Sequence, residues 1–186
     1  MENIDDKLRK LEGILKERNA PVLKYLNPGL QEKEIIVFFV RKGIRINPAI
    51  IPLYRWHNGI DFPPEGIYQN IVEIMPMGVF YSLEEVSKSW EDIISWKYFP
   101  TPEDFLPIFG SGEDDLYLLK ISSGEIFYMS PATGNFLGEF NFRSLDVMFD
   151  FIIECYLEKV FTIDPEKGLD FDDVKYIEKQ EKYERL

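Results

Sequence analysis

Leu116-Tyr117-Leu118-Leu119-Lys120-Ile121-Ser122-Ser123-Gly124-Glu125-Ile126-Phe127-Tyr128-Met129 reads as two short apolar strands joined by a Ser-Ser-Gly turn. Aromatic and β-branched side chains favour a pleated, half-buried backbone, and the small polar residues between them favour reversal. The pattern extends both ways. Upstream, Leu106-Pro107-Ile108-Phe109 reads as another strand. Downstream, Pro131-Ala132-Thr133-Gly134 turns into Asn135-Phe136-Leu137-Gly138-Glu139-Phe140. Tight turns at this spacing predict an antiparallel meander beginning at Phe105.

Helical periodicity surrounds the meander. Asp5 or Asp6 is placed to cap a first helix running to Arg18, with Leu8, Leu11, Ile14 and Leu15 as its apolar stripe. Gln31 to Arg41 reads as a second helix with a broad apolar face of Ile35, Ile36, Phe38, Phe39 and Val40, and its Val and Phe content makes a strand the competing reading. Asn47-Pro48 opens a third, shorter helix. Asn58-Gly59 closes it, since both residues tolerate the left-handed backbone of a C-cap. Phe62 to Pro76, with Pro63, Pro64 and Gly66, reads as loop. Ser82-Leu83-Glu84-Glu85 has the form of a capping box and opens a helix with Leu83, Val86, Trp90, Ile93 and Ile94 on one side. Ser144 caps a long last helix whose buried face is Leu145, Met148, Phe149, Ile152, Ile153, Tyr156 and Val160. Helices, then a meander, then a helix describe one α+β domain, which we place at residues 1–163. Residues 164–186 form a charged tail, where Val174, Ile177 and Tyr183 leave a helix and a mobile segment both open.

Composition narrows the function. The chain of 186 residues is long enough for one sizeable core. Its 33 acidic residues against 21 basic give a formal net charge of −12, which repels phosphate backbones and disfavours direct nucleic-acid binding. A basic protein partner would be attracted; simple solubility is the competing explanation. Between Ser82 and Asp115 stand nine acids and two bases, interleaved with Trp90, Trp96, Tyr98 and Phe99. Acids for long-range attraction and aromatics for short-range burial suit a protein-binding face. The alternative is a solvated helix face with its aromatics in the core, which the spacing of Trp90 favours.

Catalytic signatures are weak. His57 is the only histidine, and its place beside a helix C-terminus points to a structural role over that of a general base. Cys155 is the only cysteine, so no internal disulfide forms, and its apolar context points to a buried thiol. Soft ligands are too few for zinc. Neither Glu113-Asp114-Asp115 nor Asp170, Asp172 and Asp173 follows a calcium-loop pattern. Gly110-Ser111-Gly112 lacks the Lys of a phosphate loop and is followed by acids. No catalytic residue, cofactor or metal is expected. The acidic start Met1-Glu2-Asn3-Ile4-Asp5-Asp6 does not resemble a signal peptide, and no apolar run reaches the length of a membrane span, so a cytoplasmic location is expected.

Tyr54-Arg55-Trp56-His57-Asn58-Gly59 resembles the Asn-Gly helix end of the SUKH superfamily, which includes the fungal cell-wall assembly regulator domain. Pro28-Gly29-Leu30-Gln31-Glu32-Lys33-Glu34-Ile35 resembles the opening of that family's second helix. Phe105-Leu106-Pro107-Ile108-Phe109, followed by Asp114-Asp115-Leu116-Tyr117-Leu118-Leu119, is similar to its first central strands, and Ser144-Leu145 fits the start of its last helix. Asp114-Asp115 departs from the family's frequent Gly-Asp. The resemblance covers Leu8 to Phe161 and implies helices around a twisted, mainly antiparallel sheet. It also implies that Tyr54, Trp56, Asn58, Gly59 and Pro107 are structural motif residues. Bacterial members are commonly immunity proteins that neutralise a toxin, often a nuclease. The resulting expectation is a non-enzymatic immunity protein that occludes a basic toxin domain. Glu113, Asp114 and Asp115 would match the toxin's basic surroundings, with an exposed Tyr98 or Phe99 as anchor. The alternative is a regulatory or scaffold module that recruits a cellular protein.

Overall fold

Short strands joined by tight turns pair with their sequence neighbours, and the sheet is assembled in that way. The computed structural model describes residues 3–61, 66–96, 99–111, 115–130 and 141–184. Strands β1 (Glu73–Met75), β2 (Gly78–Phe80), β3 (Phe105–Gly110), β4 (Leu116–Lys120) and β5 (Ile126–Met129) form one antiparallel sheet in the order β1-β2-β3-β4-β5. β3 is buried along its whole length and β4 along nearly all of it, so their apolar residues run on without alternation, as in a strand covered on both faces. The turn and strand expected over Pro131–Phe140 lie outside the described residues. Just beyond them, the Ile126 amide donates to the Phe142 carbonyl at 2.8 Å.

Six helices among the described residues pack around this sheet: α1 (Ile4–Glu17), α2 (Glu32–Lys42), α3 (Ile51–Trp56), α4 (Leu83–Ser95), α5 (Leu145–Leu157) and α6 (Asp173–Glu184). The result is the single-domain α+β fold expected from the sequence. Some boundaries move for local reasons. Asn3, not Asp5 or Asp6, caps α1 by accepting from the Asp6 amide at 3.0 Å. Asp5 and Asp6 instead supply negative charge to the first turn. The stretch that competed as a strand is helical because Gln31 and Glu34 form a reciprocal capping box at its start, and Gly43 ends it. The predicted third helix divides into a 3-10 turn at Pro48–Ile50 and the short α3. The expected loop to Pro76 contains β1, which pairs with β2 across a turn at Pro76-Met77.

The core is continuous from helices to sheet. Rings of Tyr54 on α3, Phe80 on β2, Phe109 on β3 and Phe149 on α5 contact in series, with centroids 5.3, 5.2 and 6.4 Å apart. Pro107 sits in β3 between two other strands, where a missing N–H is normally costly. It is tolerated because β2 pairs with β3 only from Phe109 onward, and the β3–β4 register shifts between Pro107 and Phe109.

Helix α5 and its C-cap residue present Asp146, Asp150, Glu154 and Glu158 at four-residue intervals, and two lysines grip this ladder. Lys7 of α1, its side chain only 5% exposed, reaches Asp146 and Asp150 at 2.6 and 2.7 Å. Lys179 of α6 reaches Glu154 and Glu158 at 2.9 and 3.0 Å. After α5, β6 (Phe161–Asp164) and β7 (Gly168–Phe171) form a second, two-stranded sheet that leads into α6. Tyr183 is buried against Phe151, with ring centroids 5.3 Å apart, while Val174 and Ile177 face outward.

Candidate functional site

Helix α3 stops because His57 is extended, with φ −147° and ψ 148°. The chain then runs beside Asn27 and Pro28. The Asn58 amide donates to the Asn27 carbonyl at 3.2 Å, and the Asn27 amide donates to the Gly59 carbonyl at 2.8 Å. Asn58-Gly59 is therefore not the helix cap itself: the left-handed residue, Gly59 (φ +55°), comes after a bridge to Pro28. A Cβ on Gly59 would lie 2.2 Å from the Tyr81 carbonyl, so this close approach excludes any larger residue. The Asn58 side-chain oxygen accepts from the Leu83 amide at 3.1 Å, and the Ser82 hydroxyl oxygen accepts from the Glu85 amide at 3.3 Å. Two orphan donors at the start of α4 are thus covered, one from far upstream. The Ser82 amide that a full capping box would use donates to the Ile60 carbonyl instead.

The other motif side chains tie this knot to its surroundings. The buried Tyr54 hydroxyl donates to the Tyr81 carbonyl at 3.2 Å, and burial raises its pKa. Trp56 Nε1 donates to Glu12 Oε2 at 2.9 Å, joining α3 to α1. Burial pushes the Glu12 carboxyl up, but the bonds from Lys16 and Trp56 outweigh it and hold the group below its ordinary range. His57 Nδ1 lies 3.0 Å from the Asn27 carbonyl, and a carbonyl only accepts, so Nδ1 carries the proton. Its Nε2 is enclosed without a hydrogen-bond partner among the described residues. Cys155 is buried, and burial pushes its thiol up to about 12, a value at which it is inert as a nucleophile.

A groove of about 450 Å³ opens beside the knot, between α2 and the first turn of α4. Leu30, Val37, Phe38 and Leu83 form its apolar lining, Asn58 reaches it from the knot, and Glu34, Arg41, Lys42 and Glu84 surround it. Lys42 Nζ stands 3.9 Å from Glu84 and 5.8 Å from the Phe38 ring centroid. Arg41 has no ion pair among the described residues. The groove was not anticipated from the sequence. Its trace is the excess of apolar residues on α2, where only Ile35 and Phe39 are buried while Val37 and Phe38 are half-buried.

The expected acidic face is partly borne by α4. Glu84, Glu91 and Asp92 are exposed, as is Glu103. Asp104 is held inward instead: Arg45 Nη2 donates to it at 3.1 Å, and Ser122 donates through both its amide and its hydroxyl. Asp115 is half-buried at the start of β4. Its carbonyl accepts from the Ser111 amide at 2.8 Å, and its Oδ2 is 3.5 Å from the Ser111 hydroxyl. Gly110 therefore ends β3 and Ser111 opens the β3–β4 connection. Tyr98, Glu113 and Asp114 lie outside the described residues. Phe99 corrects the expectation of an exposed anchor: it is 8% exposed, with its ring 5.3 Å from Phe105 and 6.3 Å from Trp96. The apolar surface available on the strand side of α4 draws it inward. No group of three or more potential metal ligands occurs among the described residues, and no helix among them is long and apolar enough to cross a membrane.

The family model described as SMI1 / KNR4 family (SUKH-1) matches residues 29–150. The chain belongs to this family. No curated relative matches it. The SUKH-1 match begins at Gly29, just before α2, and ends within α5. It contains the groove, the five-stranded sheet and the knot except Asn27 and Pro28, while α1 and the β6–β7–α6 unit lie outside it. SUKH-1 belongs to a superfamily that includes immunity proteins and regulators, and its members are typically non-catalytic.

Proposed function

We propose that this protein is an immunity protein that binds a basic toxin domain, a nuclease being the class most consistent with its charge, and neutralises it by occlusion without covalent chemistry. SUKH-1 membership carries the reading. The net charge of −12 supports it, as do the exposed Glu84, Glu91 and Asp92 on α4, because a polyanionic surface is complementary to a site built to hold nucleic-acid phosphates. The acidic stretch from Ser82 to Asp115 is the proposed contact face. In it, Tyr98 takes the role of aromatic anchor, and Glu113 and Asp114 extend the negative charge.

Attraction of this kind acts mainly on encounter. Association with the toxin domain encoded beside this gene should slow steeply as salt rises, while dissociation changes little. Replacing Glu84, Glu91 and Asp92 together by their amides should slow association by roughly tenfold at low salt. Stopped-flow kinetics across an ionic-strength series measures both. Failure of the chain to retain that toxin domain, or an association rate indifferent to salt, overturns the reading.

A further inference from the structure

The groove between α2 and α4 adjoins the acidic outer face of α4 and shares Glu84 with it, and its chemistry selects an occupant. Most of its walls are side chains on α2 and α4; Leu30 and Asn58 join from the connecting segments, and their amides already donate to the Tyr54 and Asn27 carbonyls. An extended peptide laid there would bury amides and carbonyls with nothing to pair them. A helix satisfies its own backbone and presents only side chains. Leu30, Glu34, Val37 and Arg41 recur at intervals of four, three and four residues, the spacing with which one helix seats another, with Phe38 and Leu83 beside them.

The rim charges then fix a direction. Glu34 and Arg41 are both exposed and lie roughly 10 Å apart along α2. Glu34 spends one oxygen on the Gln31 amide at 2.7 Å, and Arg41 has no ion pair among the described residues. A helix is most stable with acids in its first turn and bases in its last. Such a helix matches both rim charges only when its N-terminal acid lies over Arg41 and its C-terminal base over Glu34. We infer that the groove receives one amphipathic helix of the protein partner, antiparallel to α2, with apolar side chains seated on Val37, Phe38 and Leu83. This rests on the protein-binding reading above and adds to it where the partner docks and in which orientation.

Two synthetic helical peptides test the inference. They share one leucine and phenylalanine stripe, but one carries glutamates in its first turn and lysines in its last, and the other reverses that order. Each is titrated into the isotope-labelled full chain and followed by amide chemical shifts. The acid-first peptide should move the Val37, Phe38 and Leu83 signals and bind roughly fivefold tighter than its reverse. Arg41→Glu, at an exposed position without an ion partner among the described residues, should abolish that preference while leaving the free protein's spectrum folded. Equal binding of the two peptides, or shifts confined to other surfaces, overturns the groove assignment. Val37→Glu is then assayed against the toxin domain: unchanged affinity removes the groove as its seat but leaves the immunity reading standing. If the unaltered chain binds no toxin, the immunity reading falls and the peptides alone decide the groove. Self-association that Val37→Glu abolishes would assign the groove to a second copy and overturn the proposal.

Discussion

Gly59 and Gly43 share a left-handed backbone, at φ +55° and +68°, yet their surroundings differ. An added Cβ at Gly43 meets nothing within 4 Å, whereas at Gly59 it would overlap the Tyr81 carbonyl and the Ser82 amide. Gly43→Ala should therefore cost about 1 kcal/mol, the strain of an L-residue in that region. Gly59→Ala should cost more than about 3 kcal/mol, because the chain from Ile60 to Ser82 must also move apart. Urea unfolding of the two variants checks this, and equal losses would show that the close approach is unimportant. Asn58 makes a related point, since its side chain covers an amide 25 residues further on. Asn58→Ala should cost about 1 kcal/mol, and Asn58→Asp, which keeps the acceptor, should cost less. The residue types of Asn58-Gly59 announced a stop in the chain. What they stop against is a segment far downstream, which local spacing does not encode.

Between elements, the ladder on α5 joins the two helices that lie outside the family match. Burial alone would lower the pKa of Lys7 and Lys179, but bonds to the paired carboxylates outweigh it and raise both. Lys7→Ala leaves Asp146 and Asp150 facing each other, although both remain nearly half exposed to water. It should cost about 2 kcal/mol, while Asp146→Asn or Asp150→Asn alone should cost under about 1 kcal/mol because the other carboxylate remains. Lys7→Met should recover part of the loss by keeping the packed stem. Thermal unfolding of the four variants tests the order, and a Lys7→Ala protein as stable as the parent would show that the clamp contributes nothing. The acids do recur every four residues in the sequence. Nothing in the pattern around Lys7, one residue before the apolar Leu8, marked it as the buried partner.

For the molecule as a whole, buried and half-buried titratable groups bound the stable pH range on both sides. The Glu12 and Glu154 carboxyls are pushed up by burial but held below the ordinary 4.5 by stronger hydrogen bonds, from Lys16 and Trp56 and from Lys179 and Tyr183. Their stabilisation is complete above pH 4.5 and is lost as pH falls through their folded values. Glu73 acts in the opposite sense, since burial raises its carboxyl and the unfolded chain ionises first. Glu73→Gln should therefore gain stability relative to the parent as pH rises past 4.5. At the alkaline end, burial raises the Tyr54, Tyr117 and Tyr156 hydroxyls, and ion pairing raises Lys7 and Lys179. All five contribute fully below pH 10 and lose that contribution as pH climbs beyond it. Urea midpoints across pH should show a plateau with losses on both sides, and a midpoint unchanged above pH 10 would contradict the tyrosine burial. The sequence by itself determined helices α1 to α5 and their order, the central strands from Phe105 to Met129, the acidity and the family motif, because periodicity, caps and turn residues act over a few positions. Tertiary structure alone decided the inward turn of Phe99 and Asp104, the partner of Asn58, the grip of Lys7 and Lys179, and the groove beside α2. Each of these depends on what lies opposite a side chain, and only the closing of the core supplies that neighbour.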